Sequence, residues 1–542
     1  MSKILKLLEV PHPPSHPPSF LLNRDLEPIP PHKRQWGFFS NFCYWGVISF
    51  NMGTWLSSSS SLSLGLSIGG IFAGYILGDL VTIAYTILNS FPGLDWHVGY
   101  TVTQRVSFGI YGSGLGILVR VLLSIVNYGS GCYIGGQAVS LVLSAWSKSY
   151  MNLGDNHLSR VAMTERDLAG FLIFHVFNAI CAFMPPYRFN RPLIVSCVCV
   201  FFAMLGMVIH LQIKAGGYGD VFGLKTTLSS SEQGWMIIYV MTYWFSSVSP
   251  GTQNQCDYSR FATSTTSVVL GTFLSLLIPT TVIPLFGIIG ASTTSQLYGE
   301  ELWIPTDIVL RWLHDSYTPG TRCAASFIGF TFVASQVCLN SINCGFSSGM
   351  DLAGILPRYI NVTRGFLLTA AVSFAVQPWN FYNTSSVFLT VMSSFGVVTT
   401  PIIAICVCDY LVIRRRVYKI SEAFVLNGEY FYTCGINFRA VVAFIVGMTP
   451  GLPGMAWQVD QSYFNNRGIV NFYYGDSLFA FVIPFACYWI LCLIWPINNN
   501  VFTTDEEDVF GCFTEKEKLE KGICSAQVDE ISMHSKNSSQ QI

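Results

Sequence analysis

Stretches of about twenty apolar residues recur along nearly the whole of this 542-residue chain, and no other property limits its fold as tightly. A helix of roughly that length is what a bilayer crossing demands. The runs are separated by short polar boundaries such as MPPYRFNRP and HDSYTPGTR. They predict about twelve crossings, at 38–65, 67–92, 114–145, 167–185, 193–213, 234–255, 266–292, 323–348, 364–381, 385–413, 438–457 and 475–497. Charged residues make up only 11% of the chain, against about a quarter in soluble proteins. That deficit is too large for an oversized soluble core, and the repetition excludes a soluble enzyme with one anchor. The predicted class is an all-α polytopic protein whose first partner is the lipid bilayer.

The remaining composition narrows function by exclusion. A net charge of -1 gives no basic field for nucleic acid. The sixteen cysteines lie mostly singly in apolar runs, with no paired CxxC units, and read as packing residues rather than metal ligands. No P-loop is present, so nucleotide hydrolysis is not the expected energy source. The scattered histidines, His175 and His210 among them, do not assemble a catalytic set, so an enzyme is not expected.

Orientation follows from Lys and Arg. With the N-terminus inside, Lys3, Lys6, Arg24, Lys33, Arg34, Arg105, Arg188, Arg191, Arg260, Arg358 and the Arg414–Arg416 cluster with Lys419 all fall on inner segments. The opposite loops hold fewer, mixed with acids, as in Arg166 between Glu165 and Asp167 or Arg311 near Asp315. That bias places both termini in the cytosol. The expected organisation is a disordered tail over 1–37, five helices over 38–213, five over 234–413, two over 438–497 and a polar tail over 498–542. The proline-rich first segment has no cleavable-signal pattern. The last tail carries Asp505, Glu506, Glu507 and Asp508 ahead of Lys516, Lys518 and Lys521. It reads either as a solvated tail or as a regulatory one whose lysines accept ubiquitin.

Two crossings are interrupted, the first and the sixth. In SFNMGTWLSSSSSLSLGLS (49–67), Asn51, Gly53 and a run of serines break the apolar stretch. In YWFSSVSPGTQNQ (243–255), Pro250-Gly251 precedes a polar segment. An unsatisfied backbone group costs several kcal/mol in hydrocarbon, so non-helical backbone survives only beside a cavity or buried in protein. Paired breaks, one per half, are how inverted-repeat transporters build a midplane site.

Motifs along the chain make the reading specific. NRDLEPIPPHKRQWGFFSNFCYWG (23–46), NQCDYSRF (254–261), YGEELWIP (298–305), GMDLAGILPRY (349–359), PWNFY (378–382) and GMTPGLPGMAW (447–457) resemble the nucleobase:cation symporter family 1. SFNMGTW, SIVNYGSGCYIGG (124–136), YWFSSVSPGTQNQCDYSRF (243–261) and NCGFSSGMDLAG (343–354) are similar to its fungal thiamine and nicotinamide riboside branch. The resemblance implies twelve helices, a LeuT-type 5+5 inverted repeat with two further C-terminal helices, alternating access and a plasma-membrane location. It also implies a solute held between the broken first and sixth helices and the third and eighth.

Departures from the family pattern carry information. Uracil-type relatives have a helix 3 Trp and, four residues on, a Gln; here those positions read Asn127 and Gly131. Sodium-coupled relatives place hydroxyls in helix 8 where SQVCLNSINC (335–344) offers Val337, Cys338 or Leu339, none a hard-oxygen ligand. The expected driving force is therefore a proton gradient, with no cofactor. Thiamine is the expected solute; nicotinamide riboside is the alternative, and a uracil or allantoin type stands behind both.

The two favoured solutes share a permanently charged aromatic heterocycle. Aromatic faces hold such a cation with ~0.5–2 kcal/mol each. Trp55 and Trp244 flank the breaks, with Tyr128, Tyr243 and Trp379 nearby. Asn51, Asn127, Ser249, Asn340 and Asn343 are candidate hydrogen-bonding partners, although intramembrane amides also pair between helices. Asn343 shares its place with Cys344, onto which the family's helix 8 Asn also aligns. Among the acids, Asp79 is the deepest, and Asp257 and Asp351 lie at inner helix ends. The three are expected in proton coupling or gating, with Arg260, three residues on, available to pair with Asp257.

Overall fold

The computed structural model describes residues 9–10, 21–23, 25–158, 163–217, 226, 228–463, 466–497 and 508–523. Lys3, Lys6, Arg24 and the acids Asp505, Glu506 and Glu507 lie outside them. Among the described residues, nine helices are long and apolar enough to cross a membrane. The first is α3 (Ile68–Trp96) and the next α5 (Ser113–Trp146), then α6 (Glu165–Ile180), which runs on to Phe183, and α7 (Asn190–Ala215). Next come α10 (Thr265–Leu277) with α11 (Pro279–Tyr298), and α13 (Pro319–Leu339) continuing through α14 (Ser347–Ile355). The last three are α16 (Ser385–Val407), α17 (Phe438–Met448) with α18 (Leu452–Val459), and α20 (Asp476–Ile494). The three remaining predicted crossings fall on α1 (Phe38–Ser49) with α2 (Met52–Ser60), on α8 (Ser230–Gln253), and on the shorter α15 (Val362–Ser373).

Short helices lie between them, among them α4 (Tyr100–Phe108), α9 (Gln255–Ser259), α12 (Pro305–Asp315), α19 (Arg467–Tyr474) and α21 (Glu515–Lys521). Starts are marked by local chemistry. Ser229 and Glu232 form a reciprocal capping box at α8, and Thr164 accepts from the Asp167 N–H at α6. Helix α3 lies against α8 along Gly74 and Gly78. A Cβ at Gly74 would sit 2.6 Å from Val240 Cβ, and one at Gly78 2.9 Å from Trp244 Cδ1. Small residues four apart let two helices approach where no solvent drives them together.

The first expected interruption is present. Helix α1 stops at Ser49, Asn51 is extended (φ -150°), and α2 resumes at Met52. The second is displaced. Helix α8 passes straight through Pro250 and ends at Gln253; the backbone departs from helix at Asn254 (φ -102°, ψ 19°) before α9. Pro250 has no N–H to give the Ser246 carbonyl, but the Ser249 hydroxyl donates to that carbonyl at 2.8 Å, so the helix survives its proline. A third irregularity had no counterpart in the sequence reading: residues Asn340–Phe346 form a π-helical segment between α13 and α14. Such bulges insert one residue and re-aim the side chains around them.

The described segments of the two tails, 21–37 without 24 and 508–523, meet on one face. Leu21, Leu22 and Leu26 bury against Trp96, Val98, Cys512, Phe513 and Ile523. Arg34 Nη1 lies 2.7 Å from Glu517 Oε1 on α21, which also takes the His97 Nε2 at 3.3 Å. The described parts of the expected disordered tails are thus folded onto the bundle, because their few apolar residues find a cleft that composition does not reveal.

Candidate functional site

A cavity of about 160 Å³ opens where α1 breaks, bounded by α2, α5, α8, the π segment and α16. Its wall is a set of polar side chains whose pairing differs sharply. Asn51 serves the break: its amide donates to the Val47 carbonyl at 3.1 Å and to that of Ile48, and its Oδ1 accepts the Gly53 N–H. Thr54 Oγ1 donates to the Ile48 carbonyl at 2.9 Å. The backbone groups freed by the interruption are therefore satisfied in place. Ser335 of α13 closes the set, its hydroxyl donating to the Phe50 carbonyl at 3.0 Å.

Asn127 and Asn343 are different. Both line the cavity. Neither Asn343 Nδ2 nor Oδ1 has a partner among the described residues, and the half-buried Asn127 amide makes no hydrogen bond within them. An unpaired amide in a low-dielectric setting costs a few kcal/mol, so these two are unsatisfied hydrogen-bonding groups on the cavity wall. Asn340 donates to the Tyr128 carbonyl at 3.2 Å and to Asn178 Oδ1 at 3.0 Å, while its own Oδ1 is unpaired.

The missing side chain at Gly131 acquires a reason. A Cβ there would lie 2.6 Å from Asn340 Oδ1 and 2.9 Å from Gln336 Nε2. The space that an amide on α5 would fill is occupied by amides from α13 and the π segment. Cys344 also faces the cavity beside Asn343, because the π segment brings both to the wall.

Trp244 forms the aromatic wall on α8. Its Nε1 donates to Asp79 Oδ1 at 2.7 Å, and Asp79 Oδ2 accepts from Thr280 Oγ1 at 2.9 Å. Tyr75 packs on the indole at 5.2 Å between centroids. Both Asp79 oxygens thus accept, from neutral donors only, and no basic side chain pairs with it among the described residues. A buried acidic side chain stands one indole away from the cavity, with no basic partner among the described residues.

Toward the two tails lies a buried ion-paired cluster. Arg120, almost fully buried, donates Nε to Asp351 Oδ2 at 2.7 Å, donates to Ser347 Oγ, and places Nη1 3.5 Å from Asp257 Oδ2. Asp257 Oδ1 accepts the Tyr100 N–H at 2.8 Å. Arg260 does not pair with the Asp257 carboxylate as expected; its Nε donates to the Asp257 carbonyl at 3.1 Å. Arg120 arrives from α5 and takes that carboxylate instead. The stacked Tyr44 and Tyr258 rings (4.2 Å) and the Trp45–Gln255 bond (3.1 Å) fill the rest.

Of the expected substrate-binding residues, Asn51, Asn127, Trp244 and Asn343 line the cavity. Trp55, Tyr243 and Ser249 do not. Trp55 lies one residue, about 100°, round from Thr54 and packs on Gly287 and Gly290 of α11. Tyr243 is turned away from Trp244 by the same angle, and Ser249 pairs with Thr399 of α16 at 2.7 Å. Arg120, Gln336 and Ser335 escaped the sequence reading. Arg120 was the legible one, a lone charge within GILVRVLLSIV that a bilayer tolerates only when paired.

A family model for permeases of cytosine/purines, uracil, thiamine and allantoin matches residues 28–474. The chain is 53% identical to a thiamine transporter of Saccharomyces cerevisiae over 524 residues, 96% of this chain and 88% of the relative. It is 49% identical to nicotinamide riboside transporter 1 of the same yeast, again over 96% of this chain and 88% of the other. Among solved structures it resembles Mhp1, a nucleobase-cation-symport-1 family transporter, in a closed conformation with bromovinylhydantoin bound. The TM-score is 0.68 at 16% identity, over 93% of this chain and 99% of that one.

Proposed function

Because the chain belongs to the nucleobase:cation symporter family 1, the permeases for cytosine/purines, uracil, thiamine and allantoin, we propose that it imports thiamine by alternating access across the plasma membrane. The termini face the cytosol, and a proton gradient drives uptake. The protein is a membrane transporter with the fold of Mhp1, not an enzyme. The observation that carries the solute assignment is the pairing of free amides with a charge-backed indole. Asn127 and Asn343 offer donors and acceptors for the edge of a heteroaromatic ring. Trp244 offers a face made more negative by the Asp79 carboxylate at its N–H. That combination suits a flat cation better than a neutral base, and relatives named for two such cations share half the sequence.

Coupling to protons rather than sodium is supported at the break. Sodium-coupled relatives use helix 8 hydroxyls to hold the ion, whereas here Val337, Cys338 and Leu339 stand at those positions of α13, none a hard-oxygen ligand. An inside-negative potential drives a cationic solute and a proton alike, with ~2.3 kcal/mol per charge per 100 mV. Arg120, with Asp351 and Asp257, forms the inner gate, and Asp79 supplies the solute's counter-charge.

A nicotinamide riboside importer is the second reading, favoured by the relative of that name. Uptake of labelled thiamine and labelled nicotinamide riboside into cells lacking their own carriers, with cross-competition and a protonophore, separates the two. Saturable thiamine uptake abolished by the protonophore is expected. Uptake of nicotinamide riboside without competition by thiamine overturns the solute, and sodium-dependent uptake at constant pH overturns the driving ion.

A further inference from the structure

Behind α8, on the side away from the cavity, lies a second polar niche. Helix α20 begins with Asp476, 1% exposed, and neither carboxyl oxygen has a partner among the described residues. The niche is made by glycines. A Cβ on Gly451, in the single turn that interrupts α17 and α18, would lie 2.7 Å from Asp476 Oδ1. A Cβ on Gly396 of α16 would meet Ser246 Oγ and lie 3.7 Å from Asp476 Oδ2. Ser246 Oγ, also fully buried, likewise has no partner. Around this pair the hydroxyls are satisfied: Thr242 with Ser477 at 2.8 Å, and Ser249 with Thr399 at 2.7 Å.

The charged surroundings are sparse. Helices α16 and α18 carry no Asp, Glu, Lys, Arg or His, and α8 carries only Glu232, in its first turn and paired with Arg467 of α19. Arg439 lies at the far end of α17, bonded to the Trp495 carbonyl, and Asp409 is paired with Arg414. The titratable groups near Asp476 are phenols: Tyr473, which pairs with Ser393 at 2.7 Å, and Tyr85 of α3, which donates to the Ser477 carbonyl at 3.2 Å. Asp79, Asp351 and Asp409 each accept hydrogen bonds from neighbouring side chains, whereas Asp476 accepts none among the described residues. A buried carboxylate with no donor and no cation would cost far more than these, and such a group takes up a proton instead.

We propose that Asp476 is the coupling-proton site of this transporter, an acid that is protonated in the conformation described and ionises when α8 shifts against α16 and α20. This rests on the reading of the chain as a proton symporter and assigns the proton to a place that reading left open. The geometry gives the link. Trp244, Ser247 and Gly251 of α8 line the solute cavity, while Ser246 on its other face flanks the acid. A displacement of α8 that closes on the solute moves Ser246 relative to the carboxyl, so solute and proton occupancy act on one helix from opposite faces. The step is a simple transfer. The carboxyl O–H is formed with a proton from one side of the membrane and broken to water on the other, leaving the carboxylate with Ser246 Oγ–H as its donor.

The test is reconstituted full-length protein with labelled thiamine as probe and a pH-sensitive dye inside the vesicles. Wild type is expected to acidify the lumen as thiamine enters. Asp476→Asn is expected to keep thiamine exchange within about threefold of wild type while its proton flux falls to background. Equal proton flux in wild type and Asp476→Asn overturns the assignment. Thiamine entry by wild type without any proton flux overturns instead the proton-symport reading on which it rests. If Asp476→Asn does not fold, Ser246→Ala decides: its pH profile of uptake is expected to shift by at least half a unit, and an unchanged profile overturns the proposal.

Discussion

Replacing Asp79 with Asn removes a charge while leaving an acceptor for the Trp244 N–H, and the consequence can be worked from the geometry. The carboxylate lies 2.7 Å from indole Nε1. A cation on the far side of that ring would stand roughly 7 Å away. At an effective dielectric of about 20, two unit charges at that distance attract by about 2.4 kcal/mol, a factor of about 50 in affinity. Part of this is offset by desolvating the ligand, so Asp79→Asn is expected to weaken thiamine binding by about 10- to 50-fold. The discriminating control is the neutral thiophene analogue of thiamine, which has the same shape and no ring charge. Its affinity is expected to change less than threefold. Competition against labelled thiamine on purified protein reads both. Equal losses for the cation and its neutral analogue would refute the counter-charge and leave Asp79 as a prop for the indole.

Further expectations follow from contacts on the same walls. Gly131→Ala drives a methyl into Asn340 Oδ1 and Gln336 Nε2, at 2.6 and 2.9 Å. Thiamine affinity should fall at least tenfold while expression and monodispersity hold. Asp351→Asn takes the charge from the 2.7 Å bond to Arg120 and should favour the conformation open to the terminal face. Mass spectrometry should find Cys344 labelled faster by an impermeant maleimide applied to that face, with thiamine protecting. At the tail, burial opposes ionisation of Glu517, but hydrogen bonds from His97 and the Thr514 N–H and the Arg34 charge outweigh it and hold the carboxyl well below its usual range. Stability from a lowered acid is present above the unfolded value and lost as pH falls through the folded one. Hydrogen-exchange protection of 508–523 should therefore persist from pH 8 to 5, and Glu517→Gln should abolish it at pH 7.

Membrane crossings were legible because bilayer thickness writes itself into the length of each apolar run. The break at Asn51 was legible for a related reason: a polar side chain and a glycine inside such a run need a use. Pro250 misled because a hydroxyl one residue away repairs the missing hydrogen bond, a local compensation that a single-residue signal cannot show. The π segment was invisible, since Asn-Ser-Ile-Asn-Cys-Gly-Phe reads equally well as ordinary helix. With it went the explanation of Gly131, whose partners Gln336 and Asn340 lie some two hundred residues away in sequence. Trp55 shows the limit of proximity as an argument. A residue one step from the cavity wall on a helix points a quarter-turn elsewhere, and only the neighbours on α11 reveal where. The tails were judged by composition, which counts few apolar residues and cannot see that those few are buried together.

Equilibrium binding of labelled thiamine to the purified protein and to its Asn127→Ala and Asn343→Ala variants tests the cavity most directly. Micromolar or tighter binding by wild type is expected, weakened at least tenfold in each variant without loss of thermal stability. Unchanged affinity in both variants would contradict the placement of the solute at the first chain break.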